Sequence, residues 1–248
     1  MTSAEAGAPS RRRTYDALLQ DIEADLRSGK IKLGDRLPGE RTLAESYGIS
    51  RASVREAIRI LDAMGVLRSS VGSGPTSGAI VISDPSAGLS SALRLHVASS
   101  RLPVEDIVQT RILLETWSAQ TAATRTDVKE ELEQAAQLLD AMDDPQMDRA
   151  AFHELDVRFH VALSSLARNA VVTTMMESLS GSVVGYVKGA MDVMDAWPDV
   201  ISVLRTQHHG IFNAVQAHDG ELAARLLREH IEWFHQQAQE ATAAQAVD

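Results

Sequence analysis

The sequence has no cysteine and few aromatic residues. The lack of cysteine excludes a disulfide scaffold, a thiolate metal site and a cysteine nucleophile. Aromatic residues make up only 4% of the 248 residues and hydrophobic residues 44%, with much Ala, Leu, Glu and Gln, which favours helices over sandwiches. No apolar run reaches membrane-spanning length, and the N-terminus lacks the apolar core of a signal peptide. We therefore expect a mainly α, cytoplasmic protein with no membrane partner.

The formal net charge of −10 is divided unevenly along the chain. Residues 1–82 contain 12 Lys and Arg against 10 Asp and Glu, whereas residues 83–248 contain 12 against 24. The length suggests one or two domains, at roughly 150 residues each. The charge asymmetry favours two, of which the first binds nucleic acid and the acidic second has another task.

Residues 37–74 have the pattern of two short helices joined by a tight turn and followed by a hairpin. Ser50 is a good N-cap for the second helix, and Gly65 is placed to end it. An apolar stripe on this helix lies opposite three arginines spaced four residues apart. That arrangement suits a helix that packs on its own domain and faces a DNA major groove. A solvated helix face is the alternative that the arginines alone leave open; they are Arg51, Arg55 and Arg59.

The surrounding segments complete a winged helix-turn-helix pattern. An amphipathic helix over 14–28 precedes this stretch, and strands over 66–70 and 79–82 follow it, with a glycine-rich loop between them. The runs RLPGERTLAE, GISRASVREAIRILDAMGVL and GSG resemble the N-terminal DNA-binding domain of the GntR family of bacterial transcription regulators. The resemblance covers about 70 residues from Thr14.

This resemblance implies a set of DNA contacts and shows two departures. The family usually has a capping residue where this chain has Gly39, which weakens a helix cap by a few tenths of a kcal/mol. The loop after Gly74 is also longer than the usual wing. The residues expected to contact double-stranded DNA are Arg41, Ser50, Arg51, Ser53, Arg55 and Gly72.

We expect four segments: a disordered tail over 1–13, a winged helix-turn-helix domain over 14–83, a linker over 84–88 and a helical domain over 89–240. Long helices joined by short turns should form an all-α antiparallel bundle. The periodicity predicts helices over 89–99, 103–124, 128–142, 147–166, 170–194, 198–217 and 220–240.

Four polar residues lie where the helical pattern calls for apolar ones: Asp156, His160, His208 and His230. Burying them without partners would cost several kcal/mol, so they should pair with one another or share a cation. The donor set suits Zn, Ni or Mn. A hydrogen-bonded core histidine and a plain Asp–His ion pair are the alternatives. The same pattern excludes the other histidines as off the inner faces, at edges or in turns; they are His96, His153, His209, His218 and His235.

Residues 89–238 also resemble the FCD domain, the all-helical effector-binding domain of the FadR-type branch of this family. The runs that carry this resemblance are LDVRFHVAL, QHHGIFNAVQAHD and ARLLREHI. It implies a metal at the four polar residues and a small organic acid beside it. The run VQTRILLE makes Arg111 the candidate partner of the effector carboxylate. A structural pair between Arg111 and Glu115 is the alternative that their spacing allows.

The expected function is a homodimeric transcription regulator, most often a repressor in such families, that binds a pseudo-palindromic operator and responds to a carboxylate metabolite. Two alternatives are a metal-dependent enzyme with an accessory DNA-binding domain and a metal-sensing regulator. The enzyme is disfavoured because the sequence offers no general base beside the four ligands, no nucleophile and no phosphate-binding glycine loop.

Overall fold

The structure, a computed structural model, describes residues 11–70, 78–194 and 196–245. The chain divides into two compact units, Met1–Leu89 and Ser90–Asp248. The predicted mainly α class is confirmed. No helix in these described ranges is long and apolar enough to cross a membrane. The elements are α1 (Arg11–Arg27), α2 (Glu40–Tyr47), α3 (Arg51–Ala63), β1 (Leu67–Ser70), β2 (Gly78–Val81), α4 (Pro85–Ala98), α5 (Val104–Ala123), α6 (Lys129–Met142), α7 (Arg149–Ser165), α8 (Ala170–Asp192), α9 (Trp197–Gln216) and α10 (Gly220–Gln245).

The first unit is a winged helix-turn-helix. Helix α3 packs against α1, α2 and β1, and its apolar face supplies the fully buried Val54 and Ala57 to the core. Strands β1 and β2 pair in antiparallel fashion, with Leu67 opposite Val81. Gly65 turns the chain into β1 at a φ of +73°, and a Cβ there would lie 1.9 Å from the carbonyl oxygen of Asp84. Any other residue at this position would both strain the backbone and clash.

Three predicted boundaries differ from the structure. Helix α1 begins at Arg11, three residues earlier than expected, because arginine is a good helix former; the rest of the predicted tail, 1–10, lies outside the described residues. The predicted linker 84–88 largely forms the first turn of α4, where a proline is tolerated. There Asp84 Oδ1 accepts hydrogen bonds from Ser86 Oγ and the Ala87 amide. Helix α10 continues to Gln245 because its Ala- and Gln-rich end favours helix.

The second unit is all-helical, and its predicted helices match the observed ones to within a few residues at each end, apart from the termini of α4 and α10 already described. Helix α5 packs against α7, α8 and α10, while α9 packs against α10. Asp148 and Asn169 cap the N-termini of α7 and α8 through their side chains. Phe152 and Phe159 from α7 are fully buried in the main core. This packing brings the inner faces of α5, α7, α9 and α10 together.

Candidate metal centre and DNA-binding surface

The turn between α2 and α3 has the geometry that the sequence predicts. Gly48 ends α2 in the left-handed conformation at a φ of 63°. Ser50 caps α3, and its Oγ accepts a hydrogen bond from the Ser53 amide at 3.0 Å. Gly39 precedes α2 without a side-chain cap. The helix-turn-helix therefore has one capped and one uncapped helix N-terminus.

The predicted DNA-contacting residues have different environments. Arg41, Ser50 and Arg51 are exposed, and the two arginines have no ion pair among the described residues. Ser53 is buried, with its hydroxyl 2.9 Å from that of Ser50. The structure thus places Ser53 in the cap of α3 rather than on its surface, while Gly72 lies outside the described residues.

Arg55 forms a two-bond ion pair with Glu40 across α2 and α3. Its Nε and Nη2 donate to the two carboxylate oxygens at 3.0 and 2.7 Å. This hydrogen bonding, with smaller contributions from the charges of Arg51 and Arg59, lowers the pKa of Glu40 although partial burial opposes the shift. Arg55 therefore links the two helices and still leaves about half of its side chain exposed. The sequence pattern did not single out Glu40.

The four polar residues expected to hold a metal meet in the helical unit. Asp156 and His160 come from α7, His208 from α9 and His230 from α10, and their donor atoms all lie within 4.8 Å of one another. Asp156 Oδ1 is 3.0 Å from His208 Nε2 and 3.9 Å from His160 Nε2. The three histidines are buried and Asp156 is partly buried. The structure brings together every residue of the predicted cluster.

Two further side chains orient the histidines of this cluster. His160 Nδ1 lies 2.5 Å from Glu115 Oε2, and His230 Nδ1 lies 2.8 Å from Gln207 Oε1. Both oxygens are acceptors, so each Nδ1 donates a proton to its oxygen and each Nε2 faces the cluster. Oxygen acceptors on the far nitrogen are the usual support of metal-bound histidines.

The cluster requires a positive charge at its centre. His160 Nε2 and His230 Nε2 are only 3.1 Å apart, and two bare lone pairs at that distance would repel. A proton on one ring or a shared cation removes the repulsion. Neither nitrogen of His208 has a hydrogen-bond partner among the described residues, and a cation would provide one. The approach of His208 to Asp156 is close but poorly aligned for a hydrogen bond.

The surroundings favour the protonation states that metal ligands need at Asp156, His208 and His230, but not at His160. The nearby His208, His160 and His230 rings lower the pKa of Asp156 although burial opposes this, so the carboxylate is ionised. Burial lowers the pKa of His208, and burial with the neighbouring His208 and His160 rings lowers that of His230. Burial also acts to lower the pKa of His160, but Glu115 outweighs it and the net shift is upward. One anionic and several neutral donors suit a divalent ion.

A cavity of about 50 Å³ adjoins the cluster. That exceeds the roughly 10–15 Å³ needed to hold one water. Arg111 lines the cavity, and its Nε donates to Glu115 Oε1 at 3.0 Å. The spacing-based alternative for Arg111 is therefore present in the structure. Because the guanidinium has five N–H donors and this bond uses one, Arg111 can pair with Glu115 and still meet a ligand.

The cavity also includes two histidines that the helical pattern excluded. His153 and His235 both line it. The cavity lies between helices, so residues beside the inner face of α7 and α10 reach it as well as those on the face. By contrast, His209 pairs with Asp143 at 2.8 Å and His218 approaches the Ala123 carbonyl at 2.9 Å, away from the cluster.

Sequence reasoning also missed the roles of Glu115 and Gln207. Glu115 is only 2% exposed and occupies the apolar stripe of α5, between Ile112 and Ala119. The interruption of that stripe was the available signal, but the i,i+4 spacing to Arg111 led to the interpretation of Glu115 as half of a structural pair. Gln207 had no signal, because only the packing of α9 on α10 brings it to His230.

Comparisons with known proteins agree with both units. Residues 14–76 match the model of bacterial regulatory proteins of the gntR family, and residues 106–232 match that of the FCD domain. The HTH-type transcriptional regulator LutR of Bacillus subtilis is 28% identical over 207 residues, which cover 83% of this chain and 92% of LutR. The Glc operon transcriptional activator of Escherichia coli K12 is 26% identical over 226 residues, covering 89% and 87%.

A solved structure supports the fold in particular. The structure of a Streptococcus agalactiae GntR aligns with a TM-score of 0.58 at 23% identity, covering 90% of this chain and 97% of that one. The predicted winged helix-turn-helix and helical domains thus both occur in known transcription regulators. The chain belongs to the gntR family of bacterial regulatory proteins, as a member with an FCD domain, and is a DNA-binding transcription regulator rather than an enzyme.

Proposed function

We propose that this regulator is a homodimer whose operator affinity is set by a small carboxylate bound beside a divalent transition metal. The metal is Zn, Ni or Mn, held by Asp156, His160, His208 and His230. It supplies a Lewis-acidic position to the carboxylate. The carboxylate also pairs with Arg111, and its binding changes the affinity for DNA because it favours one arrangement of the dimer.

The observation that carries the proposal is the convergence of three buried histidine rings and one carboxylate, whose donor atoms all lie within 4.8 Å of one another. His160 and His230 each commit their Nδ1 proton to an oxygen, yet their Nε2 atoms lie 3.1 Å apart. His208 adds two buried nitrogens without hydrogen-bond partners among the described residues. One cation between the rings would relieve the repulsion and give His208 a partner.

Arg111 supports the choice of a carboxylate effector. The Nε of Arg111 donates to Glu115, which fixes the guanidinium at the cavity. The terminal amino groups of Arg111 remain available to donate to a ligand. Paired N–H groups in a fork match the two oxygens of a carboxylate. Glu115 also receives the Nδ1 proton of His160, so a ligand on Arg111 and a metal on His160 would share one buried carboxylate.

The winged helix-turn-helix unit binds a pseudo-palindromic operator as a dimer, with half-site centres about one helical turn apart. Arg41, Ser50 and Arg51 lie on its exposed face, with Arg55 braced by Glu40. Ser53 acts through the cap of α3, and Gly72 is a further expected DNA contact. The protein acts as a repressor in the cytoplasm, and binding of the effector releases it from DNA.

The experiment begins with an operator selected from random duplexes by the full-length protein. Fluorescence anisotropy then measures operator affinity for the protein stripped of metal, loaded with Zn, Ni or Mn, and loaded with metal plus a panel of small carboxylates. We expect one metal per chain and an acid that changes the affinity at least fivefold. A metal that alone switches affinity at micromolar concentration would instead establish a metal sensor, and turnover of an acid would contradict the regulator account. A reporter gene that falls silent without the protein would contradict repression.

A further inference from the structure

The cavity beside the metal cluster has a second set of polar groups, which neither the metal nor Arg111 uses. Four side chains that line it carry a buried polar atom without a hydrogen-bond partner among the described residues. They come from α7, α8 and α10. We call them the polar lining: His153 (Nε2), Ser180 (Oγ), Tyr186 (Oη) and His235 (Nδ1).

Buried polar atoms without partners are rare in folded proteins, and each costs about 1–3 kcal/mol. Four in one cavity therefore indicate a function. Neighbouring serines of α8 show the contrast: Ser178 Oγ donates to the Thr174 carbonyl and Ser182 Oγ to the Leu179 carbonyl, both at 2.7 Å. Ser180 is just as buried, at 2% exposure, but makes no such bond. Its hydroxyl is available to a bound molecule.

The chemistry of the polar lining matches a neutral oxygen group. Serine and tyrosine hydroxyls both donate and accept, and an imidazole does either according to its tautomer. Burial, with a smaller contribution from Glu105, raises the pKa of Tyr186, so its phenol keeps its proton at neutral pH. Burial lowers the pKa of His153, which keeps that ring neutral. Among the described residues of the polar lining a second carboxylate would find no compensating cation, whereas a hydroxyl would find both donors and acceptors.

The rest of the cavity limits the ligand further. Its other side chains include Val104, Ile107, Val183 and Val187, which are apolar and suit a short carbon chain. Its volume of about 50 Å³ suits a small molecule. One charged end, a short apolar wall and a neutral polar lining together describe a small, polar acid.

We propose that the polar lining selects small carboxylic acids that bear at least one hydroxyl group, and that Ser180 and Tyr186 recognise this hydroxyl. The inference rests on the proposed function, because it takes the carboxylate end at the metal and Arg111 as given. It adds the ligand class and names the residues that determine specificity.

The test uses acids that differ only by a hydroxyl: acetate and glycolate, propanoate and lactate, succinate and malate. Isothermal titration calorimetry on the zinc-loaded, full-length protein measures the affinity for both members of each pair. The variants are Ser180→Ala and Tyr186→Phe, each of which removes only a hydroxyl. Ser182→Ala is the matched control, because that buried serine lies on the same helix but bonds to its own backbone.

In at least one pair, we expect the hydroxylated acid to bind at least tenfold more tightly, which corresponds to about 1.4 kcal/mol. Ser180→Ala or Tyr186→Phe should abolish that preference, leave affinity for the plain acid within twofold and leave the zinc content unchanged. Ser182→Ala should keep the preference.

Equal affinity for both members of every pair would overturn this inference and leave the carboxylate site standing. A preference that survives both variants would also overturn it, since it would mean that another group, such as the metal, recognises the hydroxyl. If no acid of either kind binds, the proposed function fails together with the inference.

Discussion

The two units place their functional polar groups in opposite environments. In the winged unit the arginines expected to meet DNA are exposed, as Arg41 and Arg51 show. In the helical unit His160, His208 and His230 are each at most 4% exposed. A surface arginine costs the fold little and can be lost without harm to stability. A buried histidine without a hydrogen-bond partner or metal destabilises the fold, so the group that binds it also contributes to stability.

Thermal stability should therefore respond to changes in the metal cluster but not to changes in the DNA-binding arginines. Loss of a group from the helical cluster should reduce both ligand binding and thermal stability. Loss of an arginine from the winged helix-turn-helix unit should change DNA affinity but not thermal stability.

The largest effect is expected for His208→Ala. The substitution removes a fully buried ring that packs against Phe159, at a centroid distance of 5.1 Å, and deletes one candidate ligand. A metal at 100 times its Kd contributes about 2.7 kcal/mol, so the Tm of the variant should fall markedly and no longer respond to added zinc. The matched control is His209→Ala, because the neighbouring ring is exposed and pairs with Asp143 outside the cluster. Equal zinc responses in both variants, measured by differential scanning calorimetry, would contradict the prediction.

Glu115→Gln should have the next largest effect. The amide keeps the shape of the side chain but loses the charge that holds the His160 ring and Arg111. Losing such a supporting group usually weakens metal affinity about 10–100-fold. Competition with a fluorescent chelator measures the affinity. Glu133→Gln is the control, since Glu133 is an exposed partner of Lys129 and should bind metal like the unmodified protein. Unchanged affinity in Glu115→Gln would show that the carboxylate does not support the ligand.

Arg51→Ala tests the exposed side of the comparison. We expect weaker operator binding, a decrease of about 1 in the slope of log K against log salt, and an unchanged Tm. Anisotropy titrations at several salt concentrations measure both quantities. Lys129→Ala in the helical unit provides a control in which a single exposed cation is also lost. A fall in Tm with intact DNA binding would reverse the roles assigned to the two units.

Glu40→Gln should give the smallest effect, on stability and with a defined pH dependence. Because Arg55 lowers the pKa of Glu40 in the fold, the pair stabilises the protein above the unfolded-state pKa of about 4.3 and loses this contribution as pH falls through the lower folded value. The contribution is modest because both side chains are partly exposed. Thermal melts should show a small loss at pH 7 that narrows below about pH 4. A difference that grows in acid would have the wrong sign.

The sequence was sufficient for features that depend on local periodicity. Helical spacing and caps such as Ser50 located most elements, and the departures of four residues from their apolar stripes located the cluster. The same argument could have predicted the burial of Glu115, because this residue interrupts the apolar stripe of α5. Gln207, His153 and His235 were not, because their positions at the cluster and cavity depend on how helices pack side by side. The Glu40–Arg55 pair likewise requires the crossing of α2 and α3.

Anomalous X-ray diffraction from crystals of the protein loaded with zinc would show whether the metal binds at the cluster. We expect one anomalous peak per chain at the zinc edge, about 2.0–2.2 Å from donor atoms of Asp156, His160, His208 and His230. No peak there, with His160 and His230 joined by a proton instead, would contradict this expectation.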